Sequence, residues 1–237
     1  MLKIENYTKV YPNGKKAVVD LNLHIMPGDL FAFIGHNGAG KTTTIKSIVG
    51  ILDFNEGDIL IDGVSIKENP VLCKKKMAYI PDNPDLYESL TGLQYLNFIA
   101  DVYELSKEQR REKIELYAGE FELTNSLNDL ISSYSHGMKQ KLALISAFIH
   151  EPKLLILDEP FVGLDPKASY IVKQLMKKVC DNGGAIFFST HILEVAEKLC
   201  NKLAIIKEGS LVVSGLMEEV TKNKALEEVF LELENRE

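Results

Sequence analysis

The sequence predicts an α/β fold built on a mostly parallel sheet, and three observations point to it. Leu154-Leu155-Ile156-Leu157 and Ala185-Ile186-Phe187-Phe188 are continuous apolar runs separated by a helical stretch after Pro166. That is the pattern of strands buried on both faces. Leu30-Phe31-Ala32-Phe33-Ile34 is a third such run, followed by a glycine-rich segment and a helix-spaced stretch to Val49. Between about Leu86 and His150 long helical periodicity takes over, so a helical insert interrupts the α/β core.

The elements follow in order. Ala17 to Ile25 alternates apolar and polar residues like a half-exposed strand and ends at the turn Met26-Pro27-Gly28-Asp29. Gly57 to Gly63 reads as another strand, bounded by glycines. In the insert, Leu93, Leu96, Asn97 and Ala100 recur on one helical face, and Ile114, Tyr117, Ala118 and Phe121 on another. From Lys153 onward strands and helices alternate again, with a helix from Ile192 and a short acidic amphipathic helix over Ala225 to Leu231. No internal repeat, low-complexity tract or flexible linker divides the chain. The expectation is one domain over 1–237, with 1–85 and 151–237 forming the core and 86–150 the helical subdomain.

Composition narrows the class. At 237 residues the chain suits one large α/β domain or two small ones. A net charge of −7 argues against a dominant nucleic-acid-binding surface, so no nucleic-acid partner is expected. Cys73, Cys180 and Cys200 are widely spaced, which suits a reducing compartment and offers no metal or disulfide framework. The N-terminus lacks an apolar signal region, and no stretch approaches the roughly 18 apolar residues that span a bilayer.

Gly35-His36-Asn37-Gly38-Ala39-Gly40-Lys41-Thr42 matches the phosphate-binding pattern G-x-x-x-x-G-K-[ST] at every specified position. Strand, glycine loop and helix together aim backbone N–H groups at a polyphosphate, and the helix N-terminus adds partial positive charge. Lys41 is expected to reach the β and γ phosphates, the Thr42 hydroxyl to hold Mg²⁺, and Thr43 to complete the loop. The bound ligand is therefore a nucleoside triphosphate. Leu154 to Leu157 runs into Asp158-Glu159, which puts two carboxylates at the carboxyl edge of a parallel sheet, where such folds bind ligands. Asp158 is expected to hold Mg²⁺ directly or through water, and Glu159 to orient or deprotonate the attacking water.

Further segments resemble the motifs of ABC-family ATPases. Ser133-Tyr134-Ser135-His136-Gly137-Met138-Lys139-Gln140 is similar to their signature motif, Pro160 to Pro166 to their D-loop, and Ser189-Thr190-His191 to their switch histidine. Tyr11 sits where an adenine-stacking aromatic is expected. The order and spacing match over essentially the whole chain. The resemblance implies a P-loop NTPase core with an N-terminal antiparallel β subdomain and an inserted α-helical subdomain. It implies ATP and Mg²⁺ as cofactors, and a homodimer or heterodimer with two ATP molecules sandwiched head to tail. In that dimer Ser135, His136 and Gly137 face the ATP of the partner copy, Asp165 lies in the D-loop at the interface, and His191 supports the γ-phosphate or the water.

Two departures from the family pattern stand out. The signature reads Tyr-Ser-His-Gly-Met where Leu-Ser-Gly-Gly-Gln is usual, keeping the Ser and the second Gly. In Tyr79-Ile80-Pro81-Asp82-Asn83-Pro84, Asp82 stands where the family carries a metal-contacting glutamine, and is retained as a metal-site candidate.

The resemblance further implies the ATP-hydrolysing subunit of a transporter, cytoplasmic and held on the inner face of the cell membrane through a membrane-spanning partner subunit. The loop after Asp82 and the insert are the expected docking surface, with Leu86, Tyr87 and Leu90 either apolar residues near that surface or residues that pack the insert. The Ser-His-Gly-Met-Lys-Gln form and the acidic tail resemble export-type subunits, so export is favoured. The alternative is a soluble ABC ATPase of translation, repair or cofactor assembly. It is disfavoured by the single domain without a heptad array or cysteine cluster. A phosphate-loop kinase is disfavoured by the signature and D-loop segments.

Overall fold

A computed structural model of the chain describes residues 1–234. Its centre is a six-stranded sheet of β3 (Leu30–Ile34), β6 (Met77–Ile80), β7 (Leu154–Asp158), β8 (Ala185–Thr190), β9 (Lys202–Lys207) and β10 (Ser210–Leu216). The spatial order is β10-β9-β3-β8-β7-β6, with every neighbouring pair from β9 to β6 parallel and β10 antiparallel at the edge. Every residue of β3, β7 and β8 is buried, which explains their unbroken apolar runs.

The period of two along these strands sorts their side chains into two cores. Ala32, Ile34, Leu155, Leu157, Ile186 and Phe188 face one core. Phe31, Phe33, Leu154, Ile156, Ala185 and Phe187 face the other. The second core is closed by an antiparallel sheet of β1 (Leu2–Val10), β2 (Lys16–Ile25), β4 (Glu56–Ile61) and β5 (Val64–Ser65), in the order β2-β1-β4-β5. Helix α1 (Lys41–Ile48) packs into it through Ile45 and Ile48. Helix α2 (Pro70–Lys76) adds Cys73.

The first core is covered by α3 (Gly92–Val102), α4 (Lys107–Glu120) and α5 (His136–Phe148), together with α6 (Pro166–Asp181) and the later helices. Thr91 and Ser106 open α3 and α4 with capping boxes to Gln94 and Gln109, so both helices begin where their first N–H groups find side-chain oxygens. Leu96, Ala100, Ile114, Tyr117, Ala118 and Phe121 are buried, as the helical spacing predicts. Three further helices are α7 (Leu193–Leu199), α8 (Met217–Thr221) and α9 (Leu226–Glu234). The fold class expected from sequence is thus the one observed: an α/β protein with an N-terminal antiparallel sheet and a mostly parallel central sheet.

Candidate nucleotide site

The glycine loop joins β3 to α1 at the carboxyl edge of the central sheet, and sterics dictate its glycines. A Cβ on Gly35 would lie 2.4 Å from the Ile206 carbonyl oxygen, so only glycine lets β9 pass this close. Gly40 adopts φ +113, and a Cβ there would meet the Ala17 carbonyl at 2.7 Å. Gly40 also occupies the N-cap of α1 with no side-chain cap, which leaves the first N–H groups of that helix to an anionic ligand.

Lys41 is buried and curls along the loop, its Nζ donating to the carbonyls of Gly35 at 2.6 Å and His36 at 3.1 Å. Burial pushes its pKa down, and the charges of Glu159 and Asp158 partly oppose that shift. The ammonium thus rests on the loop carbonyls, and Lys41 lines the cavity together with Asp158 and Glu159.

Asp158, the last residue of β7, is 2 % exposed. The Thr42 hydroxyl donates to its Oδ2 at 2.9 Å, and the Ser189 hydroxyl donates to its Oδ1. A buried carboxylate beside a threonine hydroxyl is a hard-oxygen donor set. Among the described residues no group of three His, Cys, Asp or Glu side chains could hold a metal. That combination fits Mg²⁺, which takes few protein ligands and fills its shell with phosphate oxygens and water.

Glu159 follows with φ +50, a left-handed conformation uncommon outside glycine. Its N–H is held by the Ser189 carbonyl and hydroxyl, each at 3.3 Å. The turn aims its carboxylate at His191, whose Nδ1 lies 2.9 Å from Oε1.

Tyr11, Lys15, Ala17, Asn37, Gly38, Gly40, Lys41, Thr42, Thr43, Asp82, Asp158 and Glu159 line one cavity of about 320 Å³. The Tyr11 hydroxyl sits 3.2 Å from the Thr43 hydroxyl, fixing the ring over the start of α1. Tyr7 is fully buried with its hydroxyl on Ser47, so it offers no face to a ligand. Asp82 reaches the rim, where its Oδ1 accepts from the Asn83 N–H at 2.8 Å. Lys15 escaped the sequence reading. Its only signal was its place in the Tyr11-Pro12-Asn13-Gly14-Lys15 turn, and the turn brings its charge to the cavity. Gly35 and Ala39 are buried beneath the loop, and His36 lines a second cavity of about 260 Å³ behind it.

Ser135, His136, Gly137 and Asp165 lie outside the first cavity and group together instead. Ser135 caps α5, accepting from the Met138 N–H at 3.3 Å. The His136 ring packs on Gly163, where a Cβ would come within 2.6 Å of it. Asp165 caps α6 through the Ala168 N–H at 2.7 Å and pairs with Lys141 at 2.7 Å. Those contacts, Lys141 foremost, hold its carboxyl below the usual range. The surface reading is corrected for Leu86, which is buried, while Tyr87 is 60 % exposed and Leu90 half-buried. Leu86 joins the core that the helices share with the central sheet and leaves Tyr87 to face outward.

The family model described as "ABC transporter" matches residues 18–162. The chain is 34% identical over 238 residues to the ABC-type transporter ATP-binding protein EcsA of Bacillus subtilis (strain 168), covering 98% of this chain and 96% of that one. It is 35% identical over 212 residues to the SkfA peptide export ATP-binding protein SkfE of the same organism, covering 90% and 87%. A solved dimeric structure of a post-hydrolysis state of the ATP-binding cassette MJ0796, bound to ADP and Pi, superposes with TM-score 0.83 at 25% identity, covering 92% and 99%. The chain belongs to the ABC transporter family. Within it, it is an ATP-binding, ATP-hydrolysing subunit.

Proposed function

We propose that this chain hydrolyses Mg²⁺-ATP in the cavity above the phosphate loop and drives an exporter through a separate membrane-spanning subunit. The observation that carries this reading is the meeting, around one cavity, of the loop, the Tyr11 ring, the buried Asp158 and the Glu159 carboxylate. Tyr11 stacks the base, and the loop N–H groups with Lys41 hold the triphosphate. Thr42 and Asp158, with Asp82 at the rim, hold Mg²⁺, which neutralises phosphate charge when bound. Glu159 takes the proton of the attacking water, and His191, 2.9 Å away, fixes the carboxylate's orientation.

Two copies, or this chain and a related subunit, close head to tail on ATP. Ser135, His136 and Gly137 then meet the phosphates held by the partner copy, and Asp165 lies at the seam. Ser135 suits that role because it stands at a helix start, where N–H groups gather. Residues 86–150 act as the subdomain that presents this segment. Exposed Tyr87, its ring 5.7 Å from the ring of half-exposed Phe98, supplies an apolar surface for the membrane partner. The chain sits on the inner face of the membrane through that partner; among the described residues no helix is long and apolar enough to cross a membrane. Export is favoured by the Ser-His-Gly-Met-Lys-Gln signature, by the tail, and by the likeness to a peptide-export subunit.

Lys41→Ala tests the site. Nucleotide titration and phosphate release should both collapse, since the cation at the β and γ phosphates is gone. Near-normal hydrolysis would place the site elsewhere. Co-purification in detergent with a multi-span protein encoded beside this chain tests the transporter role.

A further inference from the structure

The phosphate loop is anchored unevenly. Gly35 lies against the backbone of β9, and the Ala39 carbonyl accepts from the Gly209 N–H at 2.9 Å, so both ends of the loop rest on the β9–β10 hairpin. Between them His36, Asn37 and Gly38 form an exposed crest. The crest is held from the side by α9. The His36 ring meets the Phe230 ring edge-on at 5.1 Å between centroids, and its Nε2 lies 2.9 Å from Glu234 Oε2. Helix α9 is itself seated by buried Leu226 and Phe230, and Lys207 of β9 donates to the Glu234 carbonyl at 2.8 Å.

We propose that Phe230 and Glu234 are positioning residues for nucleotide binding, holding the crest of the phosphate loop through His36, so that seating of the C-terminal helix and occupancy of the loop are linked. The inference rests on the loop being the ATP phosphate site. Its physical content is preorganisation. A crest whose backbone N–H groups already point at the ligand loses less freedom on binding than a loose one. Linkage makes the effect reciprocal: nucleotide on the loop must tighten α9 by the same factor.

Glu234→Ala removes the carboxylate and leaves the buried anchors of α9 in place. A single surface contact of this kind corresponds to about 1.5- to 5-fold in affinity. The Kd for ADP should therefore rise by about that factor, while the melting temperature of the nucleotide-free protein stays put. Phe230→Leu, which keeps apolar volume but loses the ring, should act in the same direction. In the wild type, backbone hydrogen exchange over 226–234 should slow when ADP is added. An unchanged Kd in Glu234→Ala overturns the linkage, and so does exchange in α9 that ignores nucleotide. Lys41→Ala separates this failure from the other. Retained ADP binding there removes the phosphate site itself, whereas lost binding there with an unaltered Glu234→Ala variant removes only the role of α9.

Discussion

His191 Nδ1 stands 2.9 Å from Glu159 Oε1, which joins the residue following β8 to the residue following β7, and Glu159 lines the nucleotide cavity. Glu159 is thereby fixed at both ends, its N–H on Ser189 and its carboxylate on His191. Glu159→Gln keeps the size and the hydrogen bonding of the side chain but not its basicity. Turnover is expected to fall by roughly 10²–10⁴, while ATP binding survives. With hydrolysis blocked, ATP stays at the seam, and mass action should shift the protein towards dimer in Mg²⁺-ATP but not in ADP on size-exclusion chromatography. Wild-type turnover in this variant would remove Glu159 as the base.

Tyr11→Ala strips the ring from the cavity and leaves the loop and both carboxylates. Base–aromatic stacking is worth about 1–3 kcal/mol, so ATP affinity should fall roughly ten-fold or more. Tyr7 cannot replace it, because its ring is fully buried. Equal affinity for ATP and for inorganic triphosphate in the wild type would contradict the role.

Asp82→Gln restores the amide usual in the family. A carboxylate and a divalent cation near 4 Å apart in water attract by about 2 kcal/mol, so the half-saturating Mg²⁺ concentration should rise by up to about 30-fold without loss of folded protein. A superimposable Mg²⁺ titration means that the Asp82 carboxylate stays on the Asn83 N–H and takes no part.

His150 predicts an acid limit to stability. Its ring stacks on Tyr103 with centroids 3.5 Å apart and planes within 3°, and its Nδ1 is buried without a hydrogen-bond partner. Burial, with Lys113 adding to it, pulls the imidazole from 6.5 to about 4. The unfolded chain takes up a proton as pH falls through 6.5, and the folded chain does so only near 4. The stability carried by the neutral ring is therefore complete above 6.5 and drains away down to 4. Between neutral pH and pH 5 the wild type should lose about 2 kcal/mol more than His150→Phe, which keeps the stack and cannot titrate. Denaturant unfolding at the two pH values gives the comparison.

The parts of the molecule that were legible in the sequence are those whose surroundings are uniform. Strand β3 is apolar throughout, and β7 and β8 are apolar up to the polar residues at their carboxyl ends, because helices or a second sheet cover both faces. The phosphate loop was legible because its chemistry is local: glycine, lysine and threonine act within one turn. Strand β10 was not, since its residues alternate only between half-buried and exposed, and its pairing with β9 supplies the order. Helix α2 buries Cys73 alone, so it has no apolar period to detect. The contacts of His36 with Phe230 and Glu234, like the arrival of Lys15, join residues through tertiary placement that no spacing along the chain encodes.

The strand that carries the phosphate loop pairs only with partners made late. Leu30 of β3 lies beside Ile186, and Phe31 beside Lys202, so both edges of an entirely apolar strand wait for about 150 further residues of synthesis. At 5–20 residues per second that is on the order of 10 s of exposure on the ribosome. Throughout that interval the motif most recognisable in the sequence has no sheet to stand on. A nascent chain arrested before β8 should therefore retain no nucleotide and should engage holding chaperones, and competence to bind should appear abruptly once β9 has emerged.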